Sequence, residues 1–432
     1  MDKAKFHYLR LFFILIFLTV LSNHLMQYSL KKSPFLSLFS FKAKQKKEFQ
    51  NEAKKFKYFI QYDCDSKVFI FNQSCFSKLL QFDSYILNPN RKQLIPDDAC
   101  EKCLILPNAT KASPVYYHTF WNYDQFDISN EEHKNRLRMI NLNLMSYLAT
   151  QNLCCTKFIL WKLSSFSIQL EKIITNMFDY YIKNNQIEIR TFTIEEFCNS
   201  GFFKKSICSS KGNYPNLHGR YLVALSDMIR FAVLDKYPGI YTDGDTIYLK
   251  DMRFFWYINF AYRWSFLTSY NTAVMGFNKL LNPSINQLLN SINTVASSIE
   301  NLINDFHPAS VSNRVCSLNK LKTVFGFDPL IILHSYFFNG QWLCNDGQLS
   351  RAKNNDVCGF SEFSNNVLTN KFDQSGFFRG AFAFHIHYKG NAIVENSYFF
   401  HFERHCLNFI NHLNYSFYYK FHNLTKILNK NI

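Results

Sequence analysis

The spacing of hydrophobic and polar positions changes repeatedly along this chain, and each change marks an element. Residues 115–121 (Val-Tyr-Tyr-His-Thr-Phe-Trp) are dense in β-branched and aromatic side chains and are bounded by Pro114 and Asn122. That pattern predicts a strand. Residues 136–150 carry apolar groups at helical spacing, 157–161 read as a second strand, 171–183 as a helix and 187–190 as a short strand. The clearest helix covers 221–237, where Leu222, Leu225, Ile229, Val233 and Tyr237 recur every three or four residues until Pro238 and Gly239 stop it. Residues 240–242 form a strand that leads into Asp243, Gly244 and Asp245, and 246–249 resume it. A later amphipathic helix starts at Asn282 and Pro283, with an apolar stripe from Ile285 to Leu302. Strands alternating with helices predict an α/β domain on a mostly parallel sheet flanked by helices.

The amino-terminal part differs in character. The formal net charge is +16, and residues 1–60 hold 12 Lys and Arg against 3 Asp and Glu, so +9 of the total sits there. The body is only mildly basic and shows no groove-reading motif, which argues against a nucleic-acid partner. Residues 11–30 contain no Lys, Arg, Asp or Glu. A helix of that length rises about 30 Å, the thickness of a bilayer's hydrocarbon core. We read residues 1–10 as a cytosolic tail and 11–30 as a transmembrane signal-anchor. A cleaved signal peptide is the competing reading, because the densest apolar run is 11–21 and Val20 and Ser22 fit a cleavage site. Lys31, Lys32, Lys42, Lys44, Lys46 and Lys47 oppose the chosen topology under the positive-inside rule.

Four Asn-x-Ser/Thr sequons, at Asn72, Asn108, Asn414 and Asn423, and twelve cysteines suit the secretory pathway, where most of the thiols should pair as disulfides. Cys100 and Cys103 form the one Cys-x-x-Cys, with no second pair at zinc-finger spacing, so a local disulfide is expected there. Residues 31–112 read as a stem and 113–432 as the catalytic domain.

Asp243 and Asp245 are two carboxylates one residue apart at a strand end. Such a pair can converge on a hard divalent cation, Mn²⁺ or Mg²⁺, that also binds substrate phosphates. Gly244 between them leaves the backbone open to a ligand. The pattern alone is weak, since Asp63 and Asp65 match it too. Asp227 and Arg230 strengthen it: three residues apart on the preceding helix, they share a face, although a plain surface ion pair would look the same.

The run Ser226-Asp227-Met228-Ile229-Arg230, then Lys236-Tyr237-Pro238-Gly239-Ile240-Tyr241-Thr242-Asp243-Gly244-Asp245, resembles the Asp-x-Asp glycosyltransferases of the sugar-binding-region family. That family includes Golgi α-1,4-galactosyl- and α-1,4-N-acetylglucosaminyltransferases and the initiating mannosyltransferase of yeast. A weaker likeness extends over residues 114–390. Residues 117–121 resemble the family's first strand ending at a Trp, 271–275 its Asn-Ala segment, and 384–388 its carboxy-terminal His-x-Trp. Two positions depart from the pattern: Pro238 replaces a Gly, and His387 stands where a Trp is common.

The resemblance implies a GT-A fold, a Rossmann-like sheet flanked by helices. It implies transfer of a sugar from a nucleotide-sugar donor, expected to be a UDP-sugar, to a glycan or glycolipid hydroxyl with retention of configuration. Asp245 would bind the metal directly and Asp243 would reach the ribose or the metal through water. Asp227 and Arg230 would line the donor-sugar pocket, and Trp121, Asn271, His385 and His387 would contact substrate, with either histidine able to complete the metal's coordination. The expected location is the Golgi membrane, single-pass type II with the catalytic domain in the lumen. The alternative is an inactive sugar or sugar-nucleotide binding protein on a transferase fold. Pro238 and His387 keep that alternative open, and the intact acidic groups oppose it.

Overall fold

The computed structural model describes residues 114–198, 222–252 and shorter stretches between 255 and 413. Seven strands make the main sheet: β1 (Val115–Phe120), β2 (Thr156–Lys162), β3 (Ile187–Thr191), β4 (Gly239–Thr242), β6 (Phe260–Arg263), β7 (Tyr270–Phe277) and β8 (Ile331–Leu333). Their spatial order is β3-β2-β1-β4-β7-β6-β8. The β2–β3, β1–β2, β1–β4 and β6–β8 pairs are parallel, whereas β4–β7 and β6–β7 are antiparallel. The chain is therefore a mixed α/β protein with a mostly parallel sheet, as its alternating pattern predicts.

Two local expectations need correction. Residues 246–248 do not resume β4. They form β5 (Thr246–Tyr248), which pairs antiparallel with β9 (Ala383–His385) in a separate two-stranded sheet. The cause is the turn at the acidic motif, closed by the Thr246 amide donating to the Asp243 carbonyl at 3.0 Å. The helix expected over 171–183 is two helices, α2 (Ile168–Met177) and α3 (Asp179–Lys183). They part at Phe178, whose backbone leaves the helical region (φ −99, ψ 16) while its ring is fully buried.

Helix α1 (Glu131–Thr150) begins five residues before the expected start. Asn130 caps it, its side chain accepting from the amides of Glu132 and His133, with two acidic residues in the first turn. Most of α1 is buried, including the polar Asn143 and Ser146. Asn143 Nδ2 donates to the Thr246 carbonyl at 2.7 Å, and Ser146 Oγ accepts from the Tyr248 amide at 3.0 Å. These polar residues thus bind β5, which sheet partners on one side alone would leave incompletely bonded. Among the described residues, further helices are α4 (Ile194–Cys198), α5 (Leu222–Lys236) and α6 (Tyr398–Leu413). Of the helix expected from residue 282, residues 285, 286, 288 and 289 are helical, with Ile285, Leu288 and Leu289 buried; the rest lies outside the described residues.

Gly239 opens β4 where β1 passes closest. A Cβ there would sit 2.0 Å from the Tyr116 carbonyl oxygen, so only glycine fits. Proline is accommodated at the neighbouring position because α5 has already ended at Lys236. Among the described residues no helix is long and apolar enough to cross a membrane. The expected anchor and stem, residues 11–112, lie outside them. Cys406 on α6 is buried and free, so it is not one of the cysteines that pair.

The topology places one end of the sheet to receive a ligand. From β1 the chain moves outward through β2 and β3, then returns to add β4 on the other side of β1. Open α/β sheets bind ligands at the carboxyl ends of strands flanking such a reversal. Here those ends are Phe120, followed by Trp121, and Thr242, followed by Asp243.

Candidate active site

The acidic motif leaves β4 at this reversal, and three other elements converge on it. The Asp243 amide donates to the Ala273 carbonyl of β7 at 2.7 Å, which anchors the turn to the sheet. Helix α5 supplies Asp227 and Arg230, both buried. β9 supplies His385, and the two residues that follow it return the Ile386 amide to the Asp245 carbonyl at 3.0 Å.

Each carboxylate has one oxygen held by the protein and one turned to a common point. Arg230 Nη2 lies 3.2 Å from Asp243 Oδ1, and the Tyr388 amide donates to Asp245 Oδ2 at 2.8 Å. The other two oxygens face His385 Nε2, at 3.9 Å from Asp243 Oδ2 and 3.2 Å from Asp245 Oδ1. Ligand atoms of Asp243, Asp245 and His385 all lie within 4.8 Å of one another. Two carboxylate oxygens and an imidazole nitrogen make a donor set suited to a divalent cation such as Mn²⁺.

The electrostatics are those of a negative site partly neutralised by its own walls. Burial opposes ionisation of Asp245, but His385, His387 and the Tyr388 amide outweigh it and hold the carboxyl down at about 2. Burial pushes Asp243 up, against the pull of Arg230 and His385. Asp227 is likewise raised by burial, with Arg230 opposing. Burial alone would lower His385; Asp245 and Asp243 raise it instead.

The guanidinium of Arg230 organises the inner wall. Its Nη2 is 3.0 Å from Asp227 Oδ1 and 3.3 Å from Ser226 Oγ, and its Nη1 donates to Thr272 Oγ1 at 2.6 Å. The planar fork lies over the Tyr241 ring at 5.2 Å. These donors therefore engage protein groups and tie α5, β4 and β7 together around Asp243. The pairing with Asp227 is thus a buried network and not the plain surface ion pair that the spacing alone could also have meant.

Trp121 stands on the outer side of the turn, its Cδ1 3.5 Å from where a Cβ on Gly244 would be, with Ile140 and Thr119 at similar distances. The space left by the absent side chain thus faces these three residues, not an approaching ligand as the sequence suggested. The Trp121 ring stacks near-parallel to Tyr123 (interplanar 12°). Asn271 is placed beside Thr272, but its Oδ1 accepts from the Ala273 amide at 2.7 Å and shapes the strand entry. His387 lies just past β9 with a left-handed backbone (φ 58), and its ring centroid is 3.9 Å from that of His385. The strand that was to put both histidines on one face stops at His385, yet their rings still meet.

Tyr262, Thr272 and Asn339 were not among the residues expected from sequence. Tyr262 Oη is 3.2 Å from His385 Nδ1, and Asn339 Nδ2 is 2.6 Å from His387 Nε2. No local pattern marks them, because each meets its partner only through tertiary contact: Thr272 reaches Arg230 across 42 residues, Asn339 reaches His387 across 48 and Tyr262 reaches His385 across 123.

A family model described as the glycosyltransferase sugar-binding region containing the DXD motif matches residues 50–263. The chain carries this DXD-containing sugar-binding region and is a glycosyltransferase. A comparison with curated proteins finds no match. Among solved structures, this glycosyltransferase is similar to PaToxG glycosyltransferase at 15% identity, covering 50% of this chain and 80% of that one, with a TM-score of 0.28. It is also similar to mouse xyloside xylosyltransferase 1 in its apo form (12% identity, 55% and 92% covered, TM-score 0.33). A third likeness is to the apo WbbM bifunctional glycosyltransferase (12% identity, 73% and 53% covered, TM-score 0.32).

Proposed function

We propose that this glycosyltransferase is metal-dependent, has a GT-A fold and moves a sugar from a nucleotide-sugar donor, a UDP-sugar, to a hydroxyl of a glycan or glycolipid. The observation that carries the reading is the meeting of Asp243 Oδ2, Asp245 Oδ1 and His385 Nε2 while the remaining carboxylate oxygens are held by protein donors. Those three atoms would hold Mn²⁺ or Mg²⁺. When bound, the cation supplies Lewis-acid neutralisation of charge on the departing diphosphate.

The chain's own residues do the rest. Arg230 fixes the rotamer of Asp243 and favours the carboxylate form of Asp227 beside it, and Asp227 accepts hydrogen bonds from donor-sugar hydroxyls. Trp121 offers an aromatic face for the nucleobase at the end of β1. His387 bounds the site on the β9 side, and Asn271 shapes its floor through the entry to β7. For transfer with retention, the bond between the anomeric carbon and the phosphate oxygen breaks while the acceptor oxygen bonds to that carbon on the same face. The acceptor's proton passes to the departing diphosphate, so no enzyme nucleophile is required. We further propose a type II Golgi membrane protein, anchored by residues 11–30 with its catalytic domain in the lumen, which the sequons and cysteine content support.

A screen of nucleotide sugars with and without Mn²⁺, reading nucleoside diphosphate release, tests this function. Metal-dependent release with at least one donor is expected. Turnover that ignores Mn²⁺ and chelator, or full activity in Asp245→Ala, would refute it.

A further inference from the structure

Behind the acidic pair runs a row of buried polar side chains that the proposed reaction does not use. Tyr262 on β6 is fully buried, and its hydroxyl is 3.2 Å from His385 Nδ1, the ring nitrogen away from the carboxylates. Asn339, also fully buried, follows the 3-10 turn Ser335–Phe337 and interacts with the same hydroxyl. Its Nδ2 is 2.6 Å from His387 Nε2, and its Oδ1 is buried with no hydrogen-bond partner at ordinary geometry. His387 itself is held at φ 58, a backbone conformation a non-glycine residue keeps only when its surroundings enforce it.

The chemistry of imidazole explains why a hydroxyl belongs behind His385. A neutral histidine that gives Nε2 to a cation carries its proton on Nδ1, and a buried N–H needs an acceptor. Without the cation, Nε2 faces Asp245 at 3.2 Å. A hydroxyl can accept the Nδ1–H and pass its own proton to a further acceptor, whereas a carbonyl could only accept and an amide N–H could only donate.

We propose that Tyr262, backed by Asn339, is a positioning residue that orients His385 so that its Nε2 can be given to a divalent cation. With the cation bound, His385 Nδ1–H donates to Tyr262 Oη, the hydroxyl proton turns to Asn339 Oδ1, and Asn339 Nδ2 donates to His387 Nε2. One network thereby fixes the tautomers of both histidines and gives the buried Asn339 oxygen its missing donor. The inference rests on the metal site proposed above.

Mn²⁺ binding to the full chain in the presence of UDP, followed by the electron paramagnetic resonance of free Mn²⁺, tests it. Wild type, Tyr262→Phe and Asn339→Leu are compared, together with the unfolding midpoint of each without metal. Outer partners of metal-bound histidines alter affinity by about 10- to 100-fold, so Tyr262→Phe is expected to bind Mn²⁺ that much more weakly. Its turnover should recover as Mn²⁺ is raised to saturation, a response that general loss of structure would not give. Asn339→Leu should lose less in the same direction. Wild-type Mn²⁺ affinity in the folded variants overturns the proposal, and if Tyr262→Phe does not fold, Asn339→Leu decides it alone. A wild-type protein that binds no Mn²⁺ overturns the metal site as well, so the two failures are distinguishable.

Discussion

Lowering the pH should destabilise this protein through one buried histidine of the central strand β1. His118 lies in the middle of β1 with no exposed surface. Its Nε2 is 2.8 Å from the Tyr237 carbonyl, so it carries the proton and donates; its Nδ1 is 3.1 Å from Trp161 Nε1 and accepts the indole N–H. The neutral ring is thereby fully satisfied, and a second proton on Nδ1 would point straight at a donor. Burial, with the nearby Arg190 cation adding to it and the Tyr237 carbonyl opposing, lowers its pKa from 6.5 to about 3. The sign follows from proton uptake. Above about pH 7 the histidine is neutral in both states and stability does not depend on it. Below about 6.5 the unfolded chain takes up a proton that the folded chain refuses, so stability falls by about 1.4 kcal/mol per pH unit until roughly pH 3. At pH 5 the loss amounts to about 2 kcal/mol. Urea unfolding of wild type and His118→Gln at pH 7.5 and 5.0 measures it. The variant begins less stable, having lost part of the hydrogen bonding, but should lose about 2 kcal/mol less between the two pH values. Equal losses in both proteins would show that His118 titrates normally, and the buried-tautomer reasoning would be wrong.

Three other perturbations have defined outcomes. Arg230→Met strands Asp227 and Asp243 without their shared cation, and removal of one partner from a buried network costs about 3–5 kcal/mol, readable as a lower urea midpoint along with lost turnover. Gly239→Ala drives a Cβ to 2.0 Å from a backbone oxygen and should yield little folded protein, whereas Gly244→Ala meets Ile140, Trp121 and Thr119 at 3.4–3.6 Å and should unfold within about 1 kcal/mol of wild type; comparable behaviour of the two would refute the packing described. Asp245→Asn keeps the shape but not the charge, and should lower donor turnover by about 10²- to 10³-fold, since a preorganised electrostatic partner is worth that much; raising Mn²⁺ should restore little of it.

Much of the architecture was readable from sequence. β1, β2, β3, β4 and α5 fall within a residue or two of their predicted spans because each is a dense or regularly spaced apolar run, and Pro114, Asn122, Pro238 and Gly239 punctuate β1, α5 and the start of β4. Helix α1 was read short because its first turn is polar; the Asn130 cap followed by Glu131 and Glu132 was the available signal. The fate of residues 246–248 was not readable, because hydrogen bonds to Asn143 and Ser146 and pairing with residues 383–385 decide it, and none of these is local. The same holds at the site. Asp227, Arg230, Asp243 and Asp245 lie within twenty residues and share a motif, whereas His385 was singled out only through a resemblance. Tyr262 and Asn339 reach it by tertiary contact alone. The role of Gly244 was misjudged because a missing side chain says nothing about which way it would have pointed.

The most direct measurement is anomalous diffraction at the manganese edge from crystals grown with Mn²⁺ and UDP. A single strong peak bonded to Asp243, Asp245 and His385 Nε2, and to the diphosphate, is the predicted result. Bound UDP with no peak among these three side chains, or with manganese held by other residues, would contradict it.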